Sequence, residues 1–367
     1  MINVEQLLKD LKKKKIDFFT GVPDSILKNF SKKIENFTDN KHKIAVSEGS
    51  AVAIGIGYYL ATKKIPCVYM QNSGLGNAIN PLISIAHKKV YSIPLLLLIG
   101  WRGSPKHKDE PQHMVKGKIT QKLLRLLNIN FCILEKESDL KKLSSIIKKA
   151  KKEKKVVACL VCKNVLKISK HKAIPVKKNN FISRKNLLID LLKLVKKNSK
   201  IISTTGYTSR ELMQIRKEMN LKNGKDFYMV GGMGHSMSVA IGMNLQTQKQ
   251  IICIDGDGSM LMHLGSLFTG GFNKKINIKY ILLNNNSHQS VGGQKTNADK
   301  IDFKYLSKSL GYKNFYKINN KNEIKKTLKT FLNNSASSFL EAKINAEVAK
   351  NLPRPDSLLN IKNNFIK

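Results

Sequence analysis

Along this chain, short unbroken apolar runs alternate with stretches in which apolar residues recur every three or four positions, and polar or glycine-rich clusters separate them. The unbroken runs read as buried strands and the periodic stretches as helices. In the first half the pattern predicts a helix over 4–15, extended chain over 16–20, a helix over 23–37 and a short strand over 42–47. A Gly/Ala-rich helix over 48–63, a strand over 66–70, a helix over 77–88 and a strand over 92–99 follow. A helix over 116–127 and a last helix and strand ending at Cys162 close this half. The second half repeats the alternation, with helices predicted over 184–197, 209–218 and 323–333 and strands over 200–204, 227–230, 251–254, 278–283, 315–318 and 338–343. Such alternation is the pattern of doubly wound parallel-sheet α/β domains. Between the halves the chain turns polar, lysine-rich and unpatterned, as linkers do. The expected division is a domain over 1–165, a linker over 166–183 and a second domain over 184–367.

Composition narrows this picture. The 367 residues, 41% of them hydrophobic, suffice for two cores. The longest apolar run, around 93–100, is strand-sized, far short of the ~18 residues of a membrane span. The opening MINVEQLLKDLKKKK is an amphipathic helix pattern without the apolar centre of a signal peptide, so a cytoplasmic, membrane-free protein is expected. The net charge of +41 invites a nucleic-acid reading, but only six of the 66 basic residues are Arg and the lysines are spread over the whole chain. Specific nucleic-acid readers concentrate Arg and aromatics on one face. Diffuse charge predicts only weak, salt-sensitive binding of polyanions and attraction of small anions. The cysteine count is odd, and Cys159 and Cys162 sit inside the apolar run VVACLVCKN, which favours core packing over a disulfide framework or metal site.

The candidate chemistry lies in 251–294. The strand over 251–254 stops in Asp255-Gly256-Asp257-Gly258, and the strand over 278–283 stops in Asn284-Asn285-Asn286. Parallel strands joined by a helix bring both clusters to one carboxyl edge, where α/β folds bind ligands. Either cluster alone reads as a turn. Together they offer glycines that admit a phosphate and hard oxygens that suit Mg2+. This pairing resembles the signature of the thiamine diphosphate (ThDP) enzymes. The resemblance implies Asp257, Asn285 and the carbonyl of Ser287 as Mg2+ ligands, with Asn284 an open alternative to Asn285. It also implies a pyrimidine-binding domain over 1–165 and a diphosphate-binding domain over 184–367.

Further residues follow from it. Glu48, where a strand meets a helix, takes the place of the acid that activates the cofactor; alone it would read as a helix cap. Met233, in Val230-Gly231-Gly232-Met233-Gly234, would support the cofactor rings, with Gly231 at the pyrimidine. Thr204, Gly256, Gly258 and Ser259 would contact the diphosphate. The runs TGVPDS (20–25), YMQNSGLGN (69–77), WRG (101–103), DEPQH (109–113) and SVGGQ (290–294) resemble the phosphonopyruvate decarboxylase family, with sulfopyruvate decarboxylase its near neighbour. The loop SPKHK after WRG and Lys295 after GGQ depart from the family pattern. The implied substrate is a small anionic 2-oxo acid. Asp24 and His113 are candidates for proton transfer and substrate contact. Arg102 could grip an anionic head through paired donors, and His288, in the loop over 285–294 that is expected to close over the site, is a further candidate for substrate contact. Read apart from the family, these are a helix cap, a loop residue and a surface ion pair. The family also implies a homo-oligomer with the active site between subunits. The reading of another class is a non-catalytic, basic polyanion-binding protein on the same fold.

Overall fold

The computed structural model describes residues 1–105, 107, 109–168, 181–221, 224–273, 275–347, 349, 351–355 and 357–367. The chain divides into two compact units, one holding 1–168 with Val291–Gln294, the other 181–290 with Lys295–Lys367. Each is built on a six-stranded, all-parallel sheet. In the first, the strands lie side by side as His42–Ile44, Phe19–Gly21, Cys67–Gln71, Leu96–Gly100, Val157–Val161 and Asn130–Leu134. In the second they lie as Asp226–Tyr228, Lys200–Ser203, Ile251–Gly256, Ile278–Asn284, Ser338–Lys343 and Asn314–Ile318. Counted along the chain, both sheets therefore have the order 2-1-3-4-6-5. The direction of winding reverses between strands 1 and 3, which opens a crevice at the carboxyl edge of each sheet.

The strands are apolar at nearly every position because both faces are covered. In the second sheet Ile252, Ile254 and Ile281 pack on one side with Leu187 and Leu191. Ile251, Cys253 and Tyr280 pack on the other with Met237 and Leu267. In the first, Val68, Tyr69, Leu97 and Leu160 are fully buried. All five cysteines are free and buried, as core residues.

Boundaries differ from the sequence reading where side chains intervene. The helix expected over 23–37 runs only over Lys28–Ile34, because Asp24 Oδ2 captures the amides of Ile26 (3.0 Å) and Leu27 (3.1 Å) in a turn. The helix expected over 77–88 is Leu75–Pro81 followed by a π-turn over Leu82–Ala86, where Pro81 cannot donate to the ladder. Pro111 at the first helical position starts the next helix early, at Pro111–Leu126. Helices Ser236–Asn244, Phe303–Ser309 and Leu358–Ile366 were not anticipated. The expected linker opens in Leu166–Lys167, paired in parallel with Ile2–Asn3, and Ile182 bridges Ile344. Its centre, 169–180, lies outside the described residues. Among the described residues no helix is long and apolar enough to cross a membrane.

Candidate active site

In the first unit the chain leaves strand Phe19–Gly21 at the crevice and immediately presents Asp24, which is fully buried. Its Oδ1 accepts from Gln71 Nε2 (2.7 Å), and Ser73 Oγ in turn donates to Gln71 Oε1 (2.9 Å). Burial pushes the Asp24 carboxyl upward, opposed by the Gln71 and backbone hydrogen bonds and by the charge of Arg102. Gly100 must be glycine here, since a Cβ would stand 2.0 Å from Asp24 Oδ2.

Glu48 is the first residue of helix Glu48–Thr62, whose Ser47 cap accepts from the Ser50 amide. Its buried side chain accepts from Asn77 Nδ2 (2.9 Å) and lies against Gly74, where a Cβ would fall 2.4 Å from Oε1. Gln71 and Asn77 are the amide partners of the two acids. Both stand in the YMQNSGLGN run, but sequence reasoning assigned them no part. The available signal was position: Gln71 ends the buried strand Cys67–Gln71, and Asn77 lies in the helix Leu75–Pro81 that follows it.

Arg102 follows strand Leu96–Gly100 and is fully engaged. Its Nε donates to Asp109 Oδ2 (2.7 Å), a second nitrogen to Asp109 Oδ1, and a third to Ser25 Oγ (3.0 Å). The paired donors expected to face an anionic head group are thus directed at Asp109. Burial disfavours the Asp109 carboxylate, but the hydrogen bonds and charge of Arg102 outweigh it and hold the group well below the usual range. His113, on the first turn of Pro111–Leu126, is half-buried beside this pair. Burial, then the Arg102 charge, lowers its imidazole to about 4, so it is neutral at pH 7.

In the second unit the predicted loops meet at the crevice. Thr204 Oγ1 donates to Ser259 Oγ (3.0 Å), which also accepts from the Gly234 amide (2.9 Å). Thr205 Oγ1 accepts from the Gly231 amide (3.0 Å). Gly231, Gly232 and Gly234 have φ of +79°, +60° and +88°, a turn that L side chains resist; Met233 is half-buried within it. Beneath lies Asp255, absent from the expected site. Burial raises its carboxyl, moderated by the Gly256 amide, which donates to Oδ1 (2.9 Å).

Asp257, also buried, begins helix Asp257–Met262. The Ser287 amide donates both to Asp257 Oδ2 (3.0 Å) and to Asn285 Oδ1 (3.1 Å). Two hard oxygens from different loops thus converge on one point, beside the Ser287 backbone, and this donor set suits Mg2+. Space in front of Gly256 is open to an added Cβ, and a Cβ on Gly258 would strike the His288 ring at 2.7 Å. Asn284 is committed elsewhere, its Nδ2 to Glu341 Oε1 (2.9 Å) and its Oδ1 to the Asn286 amide (3.1 Å). Burial raises Asp257 to about 6, against hydrogen bonds from Thr296 and the backbone. It lowers the half-buried His288 to about 4.

Residues 2–124 match the N-terminal TPP binding domain of thiamine pyrophosphate enzymes, and residues 204–342 match their C-terminal TPP binding domain. Phosphonopyruvate decarboxylase of Streptomyces viridochromogenes is 29% identical over 375 residues, covering 97% of this chain and 91% of that one. Phosphonopyruvate decarboxylase of Streptomyces hygroscopicus is 30% identical over 330 residues, covering 85% and 80%. Sulfopyruvate decarboxylase of Methanosarcina acetivorans is 29% identical over 359 residues, covering 92% and 89%. These matches displace the non-catalytic, polyanion-binding reading. With both cofactor-binding families matched and similarity running end to end, the chain is a thiamine pyrophosphate-dependent decarboxylase and belongs to the phosphonopyruvate decarboxylase family.

Proposed function

We propose that this enzyme converts 3-phosphonopyruvate to phosphonoacetaldehyde and CO2 in phosphonate biosynthesis, using ThDP and Mg2+. The observation that carries the reading is the similarity to two phosphonopyruvate decarboxylases over most of both chains. On this reading Asp257, Asn285 and the Ser287 carbonyl hold the metal. Thr204, Gly256, Gly258 and Ser259 receive the diphosphate, while Gly231 and Met233 support the rings. When bound, the cofactor supplies a nucleophilic carbon and accepts the electron pair released with CO2.

The protein's own tasks are positioning and proton management. Glu48, held by Asn77, hydrogen-bonds the pyrimidine and fixes its tautomer. Asp24, with its raised affinity for a proton, keeps the proton that releases the aldehyde. His113 and His288, neutral near pH 7, offer acceptors to the substrate. Arg102, its fork spent on Asp109 and its charge shared with Glu110, anchors the segment that leads into the His113 helix. The domains run over 1–165 and 184–367, joined by a linker over 166–183; the enzyme works in the cytoplasm, and its active form is at least a homodimer with its site between subunits. A strictly monomeric active species in light scattering would refute that last point.

The relative from Methanosarcina acetivorans makes sulfopyruvate the second reading. A sulfonate lacks the second ionisation of a phosphonate, so selectivity for phosphonopyruvate should weaken in mild acid. The test is CO2 release from phosphonopyruvate, sulfopyruvate and pyruvate, with and without ThDP and Mg2+. Cofactor-dependent turnover favouring phosphonopyruvate supports the proposal. Preference for sulfopyruvate replaces it with the second reading.

A further inference from the structure

Asn285 carries two kinds of polar atom on one amide, and only its oxygen can ligate a cation. Something must decide which end faces the metal. Its Nδ2 donates to Gln289 Oε1 (3.1 Å), which leaves Oδ1 turned toward Asp257 and the Ser287 amide. Gln289 cannot rotate its own amide without loss. Its Oε1 also faces Arg184 (NH1, 3.5 Å), and its Nε2 donates to the Ala346 carbonyl. Arg184 is itself fixed. It is buried at the start of helix Arg184–Leu194, paired through Nε with the equally buried Glu211, and its guanidinium lies 5.8 Å from the Tyr207 ring centroid.

We infer that Gln289, locked by the Arg184–Glu211 pair, is a positioning residue that turns the Asn285 oxygen toward the metal. A cation cannot be reached by flipping Asn285, because its nitrogen would then point at the metal and its oxygen at Gln289 Oε1. The series Glu211, Arg184, Gln289, Asn285 is an outer shell for the metal site, whose members set ligand orientation without touching the ion. None of the three outer residues stands in a motif recognised in the sequence. The inference rests on the reading of Asp257 and Asn285 as metal ligands.

The test is Mn2+ binding, followed by electron paramagnetic resonance in the presence of ThDP and without substrate. Gln289→Met should weaken Mn2+ by about 10- to 100-fold, while ThDP affinity at saturating metal and the unfolding midpoint of the apoprotein stay unchanged. Gln289→Glu, which still accepts from both Arg184 and Asn285, should recover most of the loss. Arg184→Met should weaken Mn2+ likewise, and the double variant with Gln289→Met should be no worse than the weaker single. Wild-type Mn2+ affinity in Gln289→Met, or equal losses in Gln289→Met and Gln289→Glu, overturns the inference alone. Failure of the wild-type protein to bind Mn2+ with ThDP, or Asn285→Ala binding it normally, overturns the metal-site reading beneath it.

Discussion

Replacing Asp257 by Asn should stabilise the cofactor-free protein while removing its capacity for Mg2+. The side chain is 3% exposed, and burial lifts its carboxyl to about 6 from the ordinary 3.8. A difference of about two units corresponds to roughly 3 kcal/mol at ~1.4 kcal/mol per unit, the cost of keeping the charge at neutral pH. Both donors on Oδ2, the Ser287 amide and Thr296 Oγ1, can be received by an amide oxygen. The new NH2 finds less, so the expected net gain is about 2 kcal/mol. Because the folded-state pKa lies above the unfolded one, the penalty is full above pH ~6, shrinks as pH falls, and vanishes below ~4. Urea unfolding of the metal-stripped wild type and variant at pH 7.5, 5.5 and 4 measures this directly. Calorimetry with ThDP should show Mg2+-dependent binding abolished in the variant. A variant no more stable than wild type at pH 7.5, or a stability gap that does not close toward pH 4, would refute the reasoning.

Three further outcomes are expected. Glu48→Gln should leave the fold intact, since an amide oxygen can still accept from Asn77, and should slow cofactor C–H exchange, read by proton NMR, by about 10²- to 10⁴-fold; exchange at the wild-type rate would remove Glu48 from the mechanism. Gly74→Ala puts a methyl 2.3 Å from Glu48 Cγ, so it should cost ~1–3 kcal/mol in stability and depress turnover even though the carboxylate remains. Normal turnover in Gly74→Ala would mean that Glu48 tolerates displacement. His42, buried and hydrogen-bonded to Tyr69 (2.9 Å), is lowered by burial to about 4 from 6.5. Its contribution is complete above pH ~6.5 and lost as pH falls toward 4, so His42→Gln should flatten the acid limb of a stability profile by about 3 kcal/mol; an unchanged limb would contradict the burial argument.

The architecture was legible because every central strand is covered on both faces, so its apolar run is unbroken and ends where the loop begins. Element ends were less legible, since they depend on single side chains. Asp24 delays a helix by seizing two amides, and Pro81 converts the end of another to a π-turn. At the site, the Asp257 and Asn clusters were visible because each closes a strand. The engagement of Asn284 was not, because its partner is Glu341, 57 residues away. The amide partners of Asp24 and Glu48 lie 47 and 29 residues away. No local pattern reports such pairings; Asp109, only seven residues from Arg102, claims the fork that sequence reading reserved for substrate.

The two units share one strand order, and each carries its polar residues at the crevice between strands 1 and 3, yet they treat buried carboxylates differently. In the first, Asp24 and Glu48 receive neutral amides from one segment, Gln71 and Asn77. A neutral donor satisfies an oxygen without fixing the proton count of the acid. Asp109 is the internal control: its partner is a guanidinium, and its carboxyl is held well below the usual range. A carboxylate so pinned can position a loop but cannot carry a proton. In the second unit Asp257 has hydroxyl and amide donors on one oxygen. Burial there makes the negative charge costly, so that a cation held at this carboxylate, as proposed, would relieve a cost already present in the apoprotein. On the proposed function, one scaffold thus gives its acids neutral amide partners in one unit and, in the other, a buried carboxylate suited to a cation, and partner choice rather than fold separates the two.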